Sequence, residues 1–188
     1  MNIFLAIDFY LSDLILNLPH NFILNSFFGF FAVKGVFLII WLLIFGYLVF
    51  FEEKKDKRFI FYFIMSLLIS ALIFTLMKNL IKRPRPVSKV RSQLTPTDFN
   101  RLRLILTDYP TSYSFPSGHT TISFSVAAIL AFFDKKRKKY FYLIAVIIAF
   151  SRVYLGYHYL YDVLAGAFLG WLISSAVLKI NIINLYET

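Results

Sequence analysis

The chain has 188 residues, of which 59% are hydrophobic and 20% aromatic, with a mean hydropathy of +0.70. Soluble domains average about 45–50% apolar residues, so this is a membrane composition, and the length suits one domain over 1–188. The absence of cysteine excludes disulfides and thiolate metal sites, and the formal charge of +10 comes without groove-reading motifs, so nucleic acid is not an expected partner. The basic residues lie mostly in loops between apolar runs, where they set topology and meet anionic headgroups.

A bilayer-spanning helix needs about 20 mostly apolar residues. Residues 2–17 are apolar but carry Asp8 and Asp13, and Pro19 follows. They read as an amphipathic helix in the interface, with a shallow span as the alternative. The opening MNIFLAIDFYLSD has neither a basic leader nor a small-residue cleavage site, so a signal peptide is not expected. Residues 23–51 form an apolar run interrupted by Gly29, Lys34 and Gly35. The expected span is 33–51, with 23–32 as an interfacial lead-in. His20 is expected at the interface, and Lys34 either snorkels or faces a substrate cleft. A second span covers 59–81. Five of the six prolines (84, 86, 96, 110 and 116) then fall in or beside the polar loop 82–115 and oppose helix there. Spans over 117–133, 140–156 and 159–178 complete the chain. The expected fold class is all-α: a polytopic membrane helix bundle of about five spanning helices plus an N-terminal interfacial helix.

The short loops orient it. Residues 134–139 (DKKRKK) carry five cations against one acid, and 52–58 carry four cations. Five spans put both loops on one face, cytoplasmic by the positive-inside rule. The loop 82–115 and the turn near 157 then face the other side. That loop holds seven cations (Lys82, Arg83, Arg85, Lys89, Arg91, Arg101 and Arg103), against the rule unless several bind phosphate or headgroups.

Charges inside a membrane protein are costly and point to function. Lys78 and Arg85 stand at the outer end of the second span, each free either to snorkel or to grip a phosphate. Lys82 and Arg83 rank behind them, as lipid-facing or supporting cations. Pro116-Ser117-Gly118-His119 opens the third span from the same face. A proline in a first helical turn followed by free N–H groups makes an anion site, or an ordinary helix start. In SRVYLGYHYLYD, His158 and Asp162 are four apart, which on a helix puts them on one face with the carboxylate holding one imidazole nitrogen. Gly166 and Gly170 extend that stripe and predict close helix packing. All three stretches, spanning 78–162, therefore reach one membrane level.

Together they read lysine, six residues, Arg-Pro; Pro-Ser-Gly-His; and Ser-Arg, five residues, His, three residues, Asp. This pattern resembles the signature of the type 2 phosphatidic acid phosphatase superfamily at every position. The resemblance implies that His158 is the nucleophile forming a phosphohistidine, that Asp162 orients it, and that His119 protonates the leaving oxygen and then activates water. It assigns phosphate binding to Lys78, Arg85, Ser117, Gly118 and Arg152, a positioning role to Ser151, and no metal or other cofactor. The implied activity is a lipid phosphatase of a bacterial cytoplasmic membrane with an extracytoplasmic site. Its substrate is a lipid phosphomonoester or diphosphate, undecaprenyl diphosphate being favoured because the chain looks like small phosphatases of that lipid. Phosphatidylglycerophosphate, phosphatidic acid and lipid A phosphates are the alternatives.

Other classes fit less well. A non-catalytic phospholipid binder or flippase needs the cations but not an oriented His158 with a second imidazole. A metal site of His119, His158 and Asp162 would have three cations repelling a divalent ion. A vanadate-dependent oxidase is remote, because such relatives are larger and soluble.

Overall fold

The computed structural model describes residues 3–33, 35–51, 57–86 and 111–180, and the residues described form helices and turns. Lys34 and the loop cations Lys89, Arg91, Arg101 and Arg103 lie outside the described residues. In chain order the helices are α1 (Ile3–Leu16), α2 (Phe22–Ala32), α3 (Val36–Phe50), α4 (Lys57–Ile81), α5 (Gly118–Phe133), α6 (Lys138–Tyr154) and α7 (Leu160–Val177). Each of the five expected spans falls on one of α3 to α7.

The boundaries follow from local chemistry. Asn21 caps α2 by accepting from Leu24 N at 2.8 Å. Gly35, at φ 87°, supplies the left-handed residue that separates α2 from α3, and the two helices meet at a bend of 67°. The lead-in and the span are thus two elements. At Lys82 (φ 50°) the backbone turns left-handed, and Pro84 follows, which ends α4. Gly156 (φ 71°) makes the tight turn from α6 to α7.

By length and apolarity, α4 (25 residues) and α7 (18 residues) can cross a bilayer, and α2 with α3 makes a third candidate. The 16 residues of α5 rise only about 24 Å, short of a hydrocarbon core of about 30 Å. Its surroundings explain its mixed composition. Packed among α4, α6 and α7, it buries eleven residues, including Thr120, Thr121, Ser123 and Ser125. A helix surrounded by protein needs no continuous apolar face toward lipid.

Around α5 lies the main core, with Phe59, Phe63, Val126, Ile129, Leu130, Ile148 and Ile173. Buried Trp41 on α3 donates from its indole to Ser123 Oγ at 3.0 Å, so the indole N–H is satisfied. The glycine stripe on α7 faces α5. A Cβ at Gly166 would lie 2.8 Å from the Ser117 carbonyl, and one at Gly170 would lie 2.9 Å from Ser125 N. This contact sets the separation of the two helices that carry the second and third motifs.

The interfacial reading of 2–17 needs one amendment. Asp13 is exposed and accepts from Asn17 at 3.0 Å, but Asp8 is fully buried. Helix α1 packs against α6 and α7 with Asp8 turned inward, so its two acids serve different surroundings.

Candidate active site

The end of α4, the start of α5 and the α6–α7 turn meet at one end of the bundle. Backbone hydrogen bonds tie them: Ser117 N donates to Asp162 O at 3.0 Å, and Ser114 N to Arg83 O at 2.7 Å. The ammonium of Lys78 donates to the Tyr113 carbonyl. Arg85 donates from Nε to Ser112 O at 2.7 Å and from one terminal nitrogen to Tyr157 O at 2.7 Å. Lys78, Arg85, Arg152 and His158 are all buried there.

His158 sits in the turn, not on the helix. Tyr159 is the N-cap of α7, and Asp162, at N3, accepts from Tyr159 N at 2.9 Å. The i, i+4 spacing therefore brings the pair together through a capped turn rather than a helical face. Asp162 Oδ2 lies 3.6 Å from His158 Nδ1, and the Ser114 hydroxyl donates to the same oxygen while standing 3.4 Å from Nδ1. On the far side of the ring, Arg85 lies 3.1 Å from Nε2. A guanidinium only donates, so Nε2 must accept, and the neutral ring carries its proton on Nδ1, facing the carboxylate. Burial first, then the charges of Arg85, Arg152 and Lys78, hold the imidazole well below the usual histidine range.

Arg152 is 2% exposed, and its guanidinium lies 4.3 Å from the Tyr157 ring centroid. Its Nε and one terminal nitrogen, like His119 Nε2, are buried without a hydrogen-bond partner among the described residues. His119 packs against Phe37 with ring centroids 4.1 Å apart, within electrostatic reach of Arg152, His158, Arg85 and Lys78. Unpaired buried donors around one spot are costly unless they serve a guest.

Helix α5 begins two residues later than the first-turn reading of Pro116 supposes: Ser117 is the N-cap and Gly118 the first helical residue. The N–H groups of Gly118, His119 and Thr120 precede the first intrahelical bond and remain available to an anion. The bare Cα of Gly118 serves packing as well, since a Cβ would lie 2.9 Å from the Phe74 ring. Ser117 Oγ accepts from Thr120 Oγ1 at 3.0 Å, which leaves its own proton to donate. Ser151 turns away from the site and donates to Ile148 O within its own helix at 2.7 Å.

The PAP2 superfamily pattern matches residues 59–184, from the first turn of α4 to beyond α7. The chain belongs to the PAP2 superfamily. Among relatives, the undecaprenyl-diphosphatase of Sulfolobus acidocaldarius is 40% identical over 97 residues, 50% of this chain and 47% of that protein. The chain spans about half the length of the curated relatives it matches first. Two solved structures share this PAP2 fold. Aquifex aeolicus LpxE superposes with a TM-score of 0.67 at 27% identity, covering 91% of this chain and 94% of that one. The Bacillus subtilis transmembrane PAP2-type phosphatidylglycerolphosphate phosphatase does so at 0.66 and 25% identity, covering 96% and 89%.

The motif residues of this PAP2 chain are joined by others that the sequence reading missed or ranked low. Arg83 pairs with Asp162 Oδ1 at 2.6 Å and with Asp8 Oδ2 at 2.5 Å. Ser112, Tyr113 and Ser114 supply the acceptors and donor described above. An acid inside apolar α1 is the one signal that could have flagged Asp8. Ser114 carries none. A cleft of about 370 Å³, lined by Phe9, Tyr10, Leu16, Pro86, Val153 and His158 among others, lies beside α1.

Proposed function

We propose that this PAP2 protein hydrolyses a phosphomonoester or diphosphate of a membrane lipid through a phosphohistidine, without a metal. The observation that carries the reading is the acceptor state of His158 Nε2 amid three buried cations, with the proton-bearing nitrogen turned to Asp162. A lone pair turned toward cations, beside Arg152 nitrogens that have no hydrogen-bond partner among the described residues, is arranged to meet phosphorus once a phosphate takes the place of Arg85 at Nε2.

In the first step Nε2 attacks, an N–P bond forms, and the P–O bond to the lipid breaks. His119, which takes up a proton once the negative charge of the phosphate is bound among these cations, gives it to the departing oxygen. Lys78, Arg85, Arg152, Ser117 and the N–H groups from Gly118 onward hold the equatorial oxygens and offset the charge building on them. Asp162 balances the positive charge that the imidazole gains. Water then attacks phosphorus and yields its proton to His119, the N–P bond breaks, and inorganic phosphate leaves with His158 neutral again. No divalent ion is needed to neutralise charge where three fixed cations already stand. His158 has Arg85 on one nitrogen and Ser114 with Asp162 by the other, so a metal would have to displace these partners.

Undecaprenyl diphosphate is the favoured substrate, supported by the likeness to the Sulfolobus undecaprenyl-diphosphatase. Phosphatidylglycerophosphate, phosphatidic acid and lipid A phosphates share the headgroup chemistry. The basic segment 134–139 supports a cytoplasmic-membrane placement with the site on the extracytoplasmic face. Purified protein in detergent with chelator should release phosphate from at least one of these lipids, and His158→Ala should abolish release. Turnover that survives His158→Ala, or that requires added metal, refutes the mechanism.

A further inference from the structure

Asp8 lies outside the segment matched by the superfamily, in a helix that carries none of its motifs. Yet its carboxylate is fully buried at the start of α7. Asp8 Oδ1 accepts from Tyr161 N at 2.8 Å, and Ser12 Oγ, one turn on, accepts from Leu160 N at 2.8 Å. These are the first N–H groups of α7, which have no partner within their own helix. Helix α1 thus caps the helix that bears Asp162, and a negative charge is favoured at that end.

The second carboxylate oxygen of Asp8 holds Arg83 at 2.5 Å, and Arg83 reaches on to Asp162 Oδ1 at 2.6 Å. The guanidinium lies 4.1 Å from the Tyr159 ring centroid and 5.9 Å from that of Phe9, so it is confined between rings as well as between carboxylates. A rigid fork suits this duty, because its two terminal nitrogens point at different partners while one ammonium could not. With Oδ1 occupied by Arg83, Oδ2 is the oxygen left to Ser114, Tyr159 N and the His158 ring.

Resting on the phosphohistidine reading, we propose that Arg83 and Asp8 are positioning residues for catalysis: Arg83 fixes the Asp162 carboxylate against His158, and Asp8 fixes Arg83. Two acids share one cation. Asp162 therefore keeps enough unbalanced negative charge to offset the charge His158 gains on phosphorylation. This makes α1 a part of the catalytic apparatus.

The two charges should act on His158 with opposite sign. Its ring is faced by Arg85 after α4, Lys78 on α4, His119 on α5, Arg152 on α6 and Asp162 on α7. Removing the Arg83 cation leaves Asp162 more negative toward the ring, which eases protonation. Removing Asp8 leaves Arg83 wholly to Asp162, which opposes it.

The test measures kcat, KM and the acid limb of kcat/KM with phosphatidic acid in mixed micelles. Arg83→Gln should lower kcat about 10- to 100-fold, the weight of a hydrogen bond to a buried charge, with KM changed by less than about threefold. Its acid limb should move up in pH. Asp8→Asn, which keeps an oxygen for Tyr161 N, should lower kcat less and move the limb down. The double variant should be no slower than Arg83→Gln alone. Arg83→Lys keeps the charge without the fork, should restore the limb but not kcat, and carries the test if the glutamine variant does not fold. Wild-type kcat in these variants, an unmoved limb, or losses that multiply would overturn the proposal. His158→Ala assayed in parallel separates the two ideas: a dead alanine variant beside a fully active Arg83→Gln refutes only the positioning pair, whereas an active alanine variant refutes the phosphohistidine itself.

Discussion

The amide of Ser117 donates to the carbonyl of Asp162 at 3.0 Å, so the start of the candidate phosphate-binding helix is bonded to the residue that faces the candidate nucleophile. Gly166 lies one turn further along α7 against the Ser117 carbonyl. The distance between the free N–H groups at the start of α5 and His158 is therefore set by backbone contact between α5 and α7.

Gly166→Ala places a methyl 2.8 Å from the Ser117 carbonyl and must push α5 away. Overpacking of this kind costs about 1–3 kcal/mol. Thermal unfolding in detergent should show that loss together with a fall in kcat. Gly170→Ala meets the backbone of both Thr121 and Ser125 and should destabilise more. Unchanged unfolding for either variant would mean that the helices have room to spare.

Ser114→Ala removes the hydroxyl that donates to Asp162 Oδ2. A hydrogen bond to a charged group contributes about 1.5–3 kcal/mol, so kcat should drop roughly 10- to 100-fold. The proposed phosphate ligands are untouched, and KM should hold. Steady-state kinetics with one lipid phosphate decides it. A change confined to KM would place Ser114 in substrate binding instead.

The proposed mechanism requires a neutral His158, and burial with the charges of Arg85, Arg152 and Lys78 keeps it so to well below the usual histidine range. The acid limb of kcat/KM should then lie below about pH 6.5, the value for an unperturbed histidine. Arg85→Gln should raise it. Stability follows the same sign. Below about pH 6.5 the unfolded chain binds a proton that the folded ring refuses, so folding free energy declines as pH falls toward the folded value. A pH series of unfolding midpoints checks this, with His158→Gln as the variant expected to lose that dependence.

Arg152 carries a buried charge with two nitrogens that have no hydrogen-bond partner among the described residues. Replacing such a charge by an apolar side chain of similar size often stabilises a protein by about 1–4 kcal/mol. Arg152→Met should therefore melt higher and turn over substrate far more slowly. A variant both less stable and fully active would show that the guanidinium is structural.

Much of this protein was readable before folding. Lipid imposes helices on long apolar runs because backbone polar groups have no other partner there, and that constraint located α3, α4 and α7 from hydropathy. It also put Lys78, Arg85, His119, Arg152 and His158 at one end, since alternate crossings bring every second loop to the same face. Helix α5 was placed to within one residue, but that it is wrapped by protein, which releases its serines and threonines from the apolar pattern, was not legible in its composition. The position of His158 in a turn depended on Gly156 taking a left-handed conformation, which i, i+4 spacing does not report. Asp8, Arg83 and Ser114 came to Asp162 only through packing, from 154, 79 and 48 residues away. One-dimensional patterns record which residues avoid or tolerate lipid. Which buried carboxylate meets which cation is settled by three-dimensional proximity in a low-dielectric interior, where an unpaired charge is too costly to leave.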